Sequence, residues 1–134
     1  LPLITTANPV KTLAALATAH RDRFQIPVIA ITGTNGKTST KNLMAHILEQ
    51  RFSLLVTAGN FNNHIGLPLT LLKLNATHEL AVLELGASQQ GDIAYLCEIA
   101  KPTQGLITNI GLAHTEFFHT IDTIQATKGE LFSY

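Results

Sequence analysis

The sequence predicts an α/β fold, a mostly parallel sheet with helices on both faces. Three observations carry this. Short apolar, β-branched runs alternate with segments of helical spacing along all 134 residues. The runs are apolar throughout instead of alternating with polar residues, as strands buried on both faces are. The first run also breaks into "TGTNGKTST", a glycine turn that opens a helix, as the first unit of a strand–helix–strand fold does.

In chain order, "NPVKTLAALATAHRDRF" (8–24) reads as a helix. Asn8 can cap free amides and Pro9 suits the first helical position. Val10, Leu13, Leu16, Ala17 and Phe24 recur at roughly helical spacing. Residues 26–32 form the first strand and 37–52 a helix with Leu43, Ile47 and Leu48 on one face. Residues 53–58 form a second strand, followed by the polar turn-former loop "GNFNNHIG" (59–66). A short helix begins near Pro68 (67–74), and "ELAVLELGA" (79–87) is the third strand. The helix 91–101 ends at Pro102. Residues 105–111 form the fourth strand, and a last helix (120–132) starts at the capping residue Thr120. On a parallel sheet ligands sit at the carboxyl ends of the strands. Residues 33–38, 59–66, Glu84 and 109–114 all fall on that edge.

Composition narrows the function. Nine basic and nine acidic residues cancel, so no overall field favours nucleic acid or an anionic membrane. Hydrophobic residues make up 46% of the chain and charged ones 13%, which fits a packed domain and not a disordered segment. Cys97 is the only cysteine, which excludes an internal disulfide and fits a reducing compartment. No apolar run approaches the roughly 18 residues of a membrane span. The chain starts without methionine and stops inside a helical pattern, which reads as part of a longer protein.

The glycine loop carries the chemistry. Glycines let a backbone bend close to a phosphate, and exposed amides at a helix start supply positive potential. Thr34, Asn35, Gly36, Lys37, Thr38 and Ser39 are the candidate phosphate contacts, with Lys37 as the point charge on the terminal phosphates. The strict phosphate-loop pattern has glycine six positions before its lysine, and Ile31 stands there, so this loop is a shorter variant. The Thr38 hydroxyl is a candidate Mg²⁺ ligand, and Glu84, ending an apolar strand, is the candidate metal carboxylate. A lone histidine such as His114, or a helical lysine such as Lys128, carries no role by spacing alone. His20, His46, His64, His78 and His119 form no metal-like spacing, and the phenylalanines of 116–120 read as core or interface.

Five stretches in order, "AITGTNGKTSTKNLMAHIL", "TAGNFNNHIGLPLTLL", "LELGASQQGDI", "TNIGLAHTEFF" and "ATKGELF", closely resemble the central domain of the Mur ligases over about residues 8–134. The resemblance implies a P-loop-like central ATP-binding domain within a three-domain cytoplasmic enzyme of peptidoglycan synthesis. Residues 1–24 correspond to the connection out of an N-terminal domain, and 25–134 to the first part of the central domain. A C-terminal domain lies outside the chain, so an isolated segment of this length is expected to be inactive. The implied reaction is ATP-dependent amide ligation through an acyl phosphate. Within the family, the second and third stretches are most similar to members that join D-alanyl-D-alanine to UDP-N-acetylmuramoyl-tripeptide. By the same resemblance Lys37, Thr38 and Glu84 keep the roles above, and Asn62 and Asn63 lie near the phosphates. His114 then holds a second Mg²⁺, and Lys128 is the lysine that several relatives carry as a carbamate. Three other readings stay open: a sister ligase (diaminopimelate- or lysine-adding, folylpolyglutamate or cyanophycin), a phosphate-loop module that binds without ligating, and an inert segment of the ligase.

Overall fold

The computed structural model describes residues 5–111 and 120–134. The element order is α1 (Pro9–Arg21), β1 (Val28–Thr32), α2 (Lys37–Leu48), β2 (Leu54–Val56), α3 (Gly66–Leu71), β3 (Leu80–Glu84), α4 (Asp92–Ala100), β4 (Gln104–Ile107) and α5 (Ile121–Ser133). Every expected strand and helix is present, most of them shortened at their ends, where regular hydrogen bonding gives way to turns. Asn8 caps α1 through its side chain, with Pro9 following, and Thr120 caps α5.

The four strands form one parallel sheet in the order β2-β3-β1-β4. The central strands β1 and β3 are buried almost throughout, which explains their continuous apolar sequences. α2 packs on one face of the sheet, while α1, α3, α4 and α5 pack together on the other. From β1 the chain crosses via α2 to β2; from β3 it crosses the opposite way, via α4 on the opposite face, to β4. Reversing both direction and face preserves the hand of the crossover. The loops after β1 and β3 therefore diverge at the carboxyl edge, where an open α/β sheet forms its ligand crevice.

The main core lies under the four-helix face, where Val28, Ala30, Ala81 and Leu83 meet Ala17, Leu67, Leu71, Leu96 and Leu131. Fully burying one such leucine contributes about 2 kcal/mol. Arg21, 6% exposed, ends α1 inside this region and donates to the carbonyls of Phe24, Ile26 and Ala100, tying α1 to the end of α4.

Two sequence expectations shift. α1 stops at Arg21 and buries Ala14, Ala17 and Arg21, so Phe24 packs from the loop and Leu16 is half exposed. On α2, Leu43 and Ile47 face outward, 63% and 61% exposed, while Leu48, seven residues after Lys41, lies nearer the sheet side and is half-buried. The stripe turned to the sheet is instead Lys41 and Ala45. Ile29, Thr40, Leu43, Met44, Ile47 and Leu48 line a shallow apolar groove there.

Candidate functional site

The site forms where β1, β3 and β4 end. β1 runs out at Thr32, and Gly33 turns the chain with φ +138°. A Cβ on Gly33 would lie 2.1 Å from Thr108 Oγ1, so the loop and the end of β4 meet at a distance only glycine permits. Gly36, with φ +79°, then caps α2 with no side-chain hydrogen bond. The first helical bond to the cap is Thr40 N to Gly36 O, so the amides of Lys37, Thr38 and Ser39 precede it at the positive end of the helix. That is the physical basis of an anion site.

The loop is braced from 74 residues away. Thr34 N donates to Asn109 O (3.1 Å), and Asn35 N to Asn109 Oδ1 (3.0 Å). Thr108 Oγ1 donates to Asn35 O (2.6 Å), while the Thr34 hydroxyl exchanges bonds with Gly111. Thr34 and Asn35 thus spend their amides on the bracing strand end, whereas the amides of Lys37, Thr38 and Ser39 at the helix start take no partner among the described residues. Lys37 Nζ donates to the carbonyls of Gly33 (2.9 Å) and Thr34 (3.0 Å), holding its charge over the loop.

Across from the loop, Glu84 ends β3 and is 2% exposed. Thr38 Oγ1 donates to its Oε2 (2.9 Å) and Asn62 Nδ2 to its Oε1 (2.8 Å). Glu84 N donates to Thr57 Oγ1 (3.0 Å). Gly86 makes room for Asn62, whose Oδ1 would stand 2.8 Å from a Cβ at that position. Asn63 instead folds its own loop, accepting from the amides of Ile65 and Gly66. Beyond Lys37 opens a cavity of about 440 Å³, lined among others by Asn60, Asn62, His64, Ser88, Asp92 and Tyr95.

The structure therefore brings Lys37, Thr38, Glu84 and Asn62 together. Lys128 lies on α5, 4% exposed. Burial above all, then the Lys37 charge, lowers its ammonium from the usual 10.5 to about 8, against the upward pull of Asp92 and Glu130. Glu130 accepts from the amides of Gly91 and Ala94 and so locks α5 onto the start of α4. His114 lies outside the described residues, as do Phe117 and Phe118. Among the described residues no three His, Cys, Asp or Glu side chains cluster as a metal site. A hydroxyl and one carboxylate in mutual contact do suit a small hard cation, which draws its remaining ligands from water and phosphate. Sequence reasoning did not single out Lys41 or Thr57, which carry Glu84 from below, nor the bracing role of Thr108.

A glycine loop between strand and helix, its lysine, and an acid ending the adjacent strand define a P-loop-like α/β domain. The family model of the Mur ligase middle domain matches residues 31–134, and the chain belongs to that family. It is 46% identical over 113 residues to the UDP-N-acetylmuramoyl-tripeptide--D-alanyl-D-alanine ligase of Escherichia coli (strain K12), covering 83% of this chain and 25% of the relative. The ligase of the same name from Bacillus subtilis (strain 168) is 42% identical over 119 residues, 89% of this chain and 26% of the relative. A crystal structure of MurF from Acinetobacter baumannii superposes with a TM-score of 0.94 at 38% identity, covering 99% of this chain and 31% of that one. MurF ligase from Thermotoga maritima in complex with ADP gives 0.89 at 41% identity, covering 96% and 30%. The chain thus spans about a quarter to a third of the length of these relatives. Among the described residues no helix is long and apolar enough to cross a membrane.

Proposed function

We propose that the full-length gene product is an ATP-dependent amide ligase of peptidoglycan precursor synthesis, joining D-alanyl-D-alanine to UDP-N-acetylmuramoyl-tripeptide in the cytoplasm. This chain supplies its nucleotide-phosphate side, and the other substrates meet domains beyond it. The observation that carries the reading is the meeting of Thr38 and Glu84 at 2.9 Å beside the Lys37 loop. The names of the relatives supply the substrates, and the ADP complex of a structural neighbour supports a nucleotide at this edge.

In the proposed reaction, an oxygen of the tripeptide's terminal carboxylate bonds to the γ-phosphorus as the bond to ADP breaks. The D-alanyl-D-alanine amine then bonds to the acyl carbon, inorganic phosphate leaves, and the amine's proton passes to solvent. No side-chain nucleophile is needed; the protein positions groups and neutralises charge. Lys37 and the amides of Lys37, Thr38 and Ser39 face the phosphates. Gly33, held by Thr108, keeps the loop in shape. Thr38 and Glu84 would hold a first Mg²⁺, which when bound neutralises charge on the transferring phosphoryl oxygens. His114 and Lys128 would serve a second. Lys128 suits carbamate formation: its buried amine, with an ammonium pKa of about 8, is partly neutral near neutral pH. Nitrogen then bonds to CO₂ and releases a proton, turning a cation into an anionic oxygen ligand.

The test is phosphate release with Mg-ATP and matched pairs of acceptor and amine. Turnover with the tripeptide and D-alanyl-D-alanine only, lost by at least about a hundredfold in Lys37→Ala, is the expected outcome. Turnover with another pair moves the protein to a sister ligase. Nucleotide binding without turnover in any pair leaves a non-ligating module.

A further inference from the structure

Lys41 is a buried cation that the phosphate chemistry above does not use. It sits one helical turn after Lys37 on the side of α2 turned to the sheet and is 2% exposed. Lysine is among the residues least often buried, because desolvating an ammonium is expensive unless it is paired. A leucine here would pack against β1 and β3 with no such penalty, whereas two large apolar residues of α2 are turned outward. The position therefore invites a reason beyond packing.

Its contacts suggest one. Lys41 Nζ donates to Thr57 O (2.8 Å) and reaches Gly59 O (3.5 Å), the two ends of the turn that leaves β2. It stands 3.9 Å from Glu84 Oε2, the same oxygen that accepts from Thr38. Thr57, 1% exposed, is bonded in turn to Glu84 N through its hydroxyl and to Val82 O through its amide. The loop rooted at Gly59 delivers Asn62 to the other oxygen of Glu84. One ammonium therefore touches three structures that must agree: α2, which presents Thr38; β3, which presents Glu84; and loop 59–66, which presents Asn62.

We propose that Lys41 is a positioning residue for the divalent cation. Its charge fixes the Glu84 carboxylate and the root of loop 59–66 in one register against the helix that starts at the phosphate loop. The inference rests on the nucleotide-and-cation reading of this edge and extends it to a residue that contacts neither ligand. It makes a distinction that a packing role does not. Lys37 and the helix-start amides do not depend on Lys41, so metal-free nucleotide affinity is spared and the gain conferred by Mg²⁺ is lost.

The experiment uses the full-length gene product with Lys41→Met, which keeps the stem and removes the charge, and Lys41→Arg, which keeps the charge on a wider head. ATP binding is titrated calorimetrically with Mg²⁺ and with chelator. In Lys41→Met, chelator affinity should stay within about twofold of the native protein, while the Mg²⁺-dependent gain falls about tenfold or more; Lys41→Arg should recover part of it. An unchanged Mg²⁺ gain overturns the proposal, and so does an equal loss with and without Mg²⁺, which marks a general structural role. Amide hydrogen exchange is measured on the same variants without any ligand. Protection of the bonded amides of Thr57, Phe61 and Asn62 should fall about tenfold while the centre of α2 stays protected. Unchanged exchange there overturns the proposal whatever the nucleotide does. If native protein shows no Mg²⁺ gain, the cation reading of the site fails, and exchange alone decides whether Lys41 sets the loop. If Lys41→Met does not fold, the same two readouts on Lys41→Arg decide, since a wider head cannot reproduce the contacts to Thr57, Gly59 and Glu84 together.

Discussion

Replacing Gly33 by alanine isolates the contact that shapes the phosphate loop. Two penalties add. At φ +138° an L-residue is strained by about 1–3 kcal/mol. The new Cβ would also stand 2.1 Å from Thr108 Oγ1, with the amides of Thr108 and Asn109 at 3.1 and 3.2 Å. The hydroxyl must move, giving up its bonds to Asn35 O and Thr32 O, a loss of about 1 kcal/mol. The sum is about 2–4 kcal/mol of stability. Gly36→Ala is the internal control: φ is +79° there, but nothing lies within 4 Å of an added Cβ. Its loss should stay near the left-handed strain alone, about 1 kcal/mol. Urea unfolding of the full-length gene product measures both, and calorimetry measures ATP affinity, which should drop about tenfold or more in Gly33→Ala. In a Thr108→Ala background, Gly33→Ala should cost about 1 kcal/mol less than it does in the native protein, because the hydroxyl's bonding is already gone and only the backbone strain is added. A Gly33→Ala protein within about 0.5 kcal/mol of native, or a larger loss at Gly36, would refute the packing argument.

Lys128 makes stability depend on pH in a stated direction. Its folded-state pKa of about 8 lies below the ordinary 10.5, so between those values the unfolded chain binds more protons and stability rises with pH. In CO₂-free buffer, native protein should gain about 1–2 kcal/mol on Lys128→Met from pH 8 to 10, with little relative change from pH 6 to 7.5, as read by urea midpoints; parallel curves would reject the shift. Arg21→Met should cost about 2–4 kcal/mol by chemical denaturation, since the carbonyls of Phe24, Ile26 and Ala100 lose a charged donor, and calorimetry should find ATP affinity unchanged once the variant is folded.

What could be read from the sequence, and what could not, divides along a physical line. The strands were legible because β1 and β3 are buried on both faces, and only uninterrupted apolar runs satisfy that. Glu84 was legible for the same reason, as a carboxylate interrupting such a run at the edge where parallel strands deliver ligands. The faces of α2 were not. Leu43 and Ile47 repeat at the same spacing as Lys37, Lys41 and Ala45, and periodicity reports a stripe without saying which stripe meets the sheet. What decides it is the pairing of Lys41 with Thr57 and Glu84, which stand at the ends of two other strands. The engagement of the Thr34 and Asn35 amides by Asn109 was hidden likewise, since that partner lies 74 residues along the chain. Local pattern fails where a residue answers to long-range polar partners: Lys41, Thr34 and Asn35 around Glu84 and the phosphate loop, and Arg21, which reaches Ala100 O, at the end of α1. A domain built only to be stable would have little reason to spend a buried lysine beside Glu84.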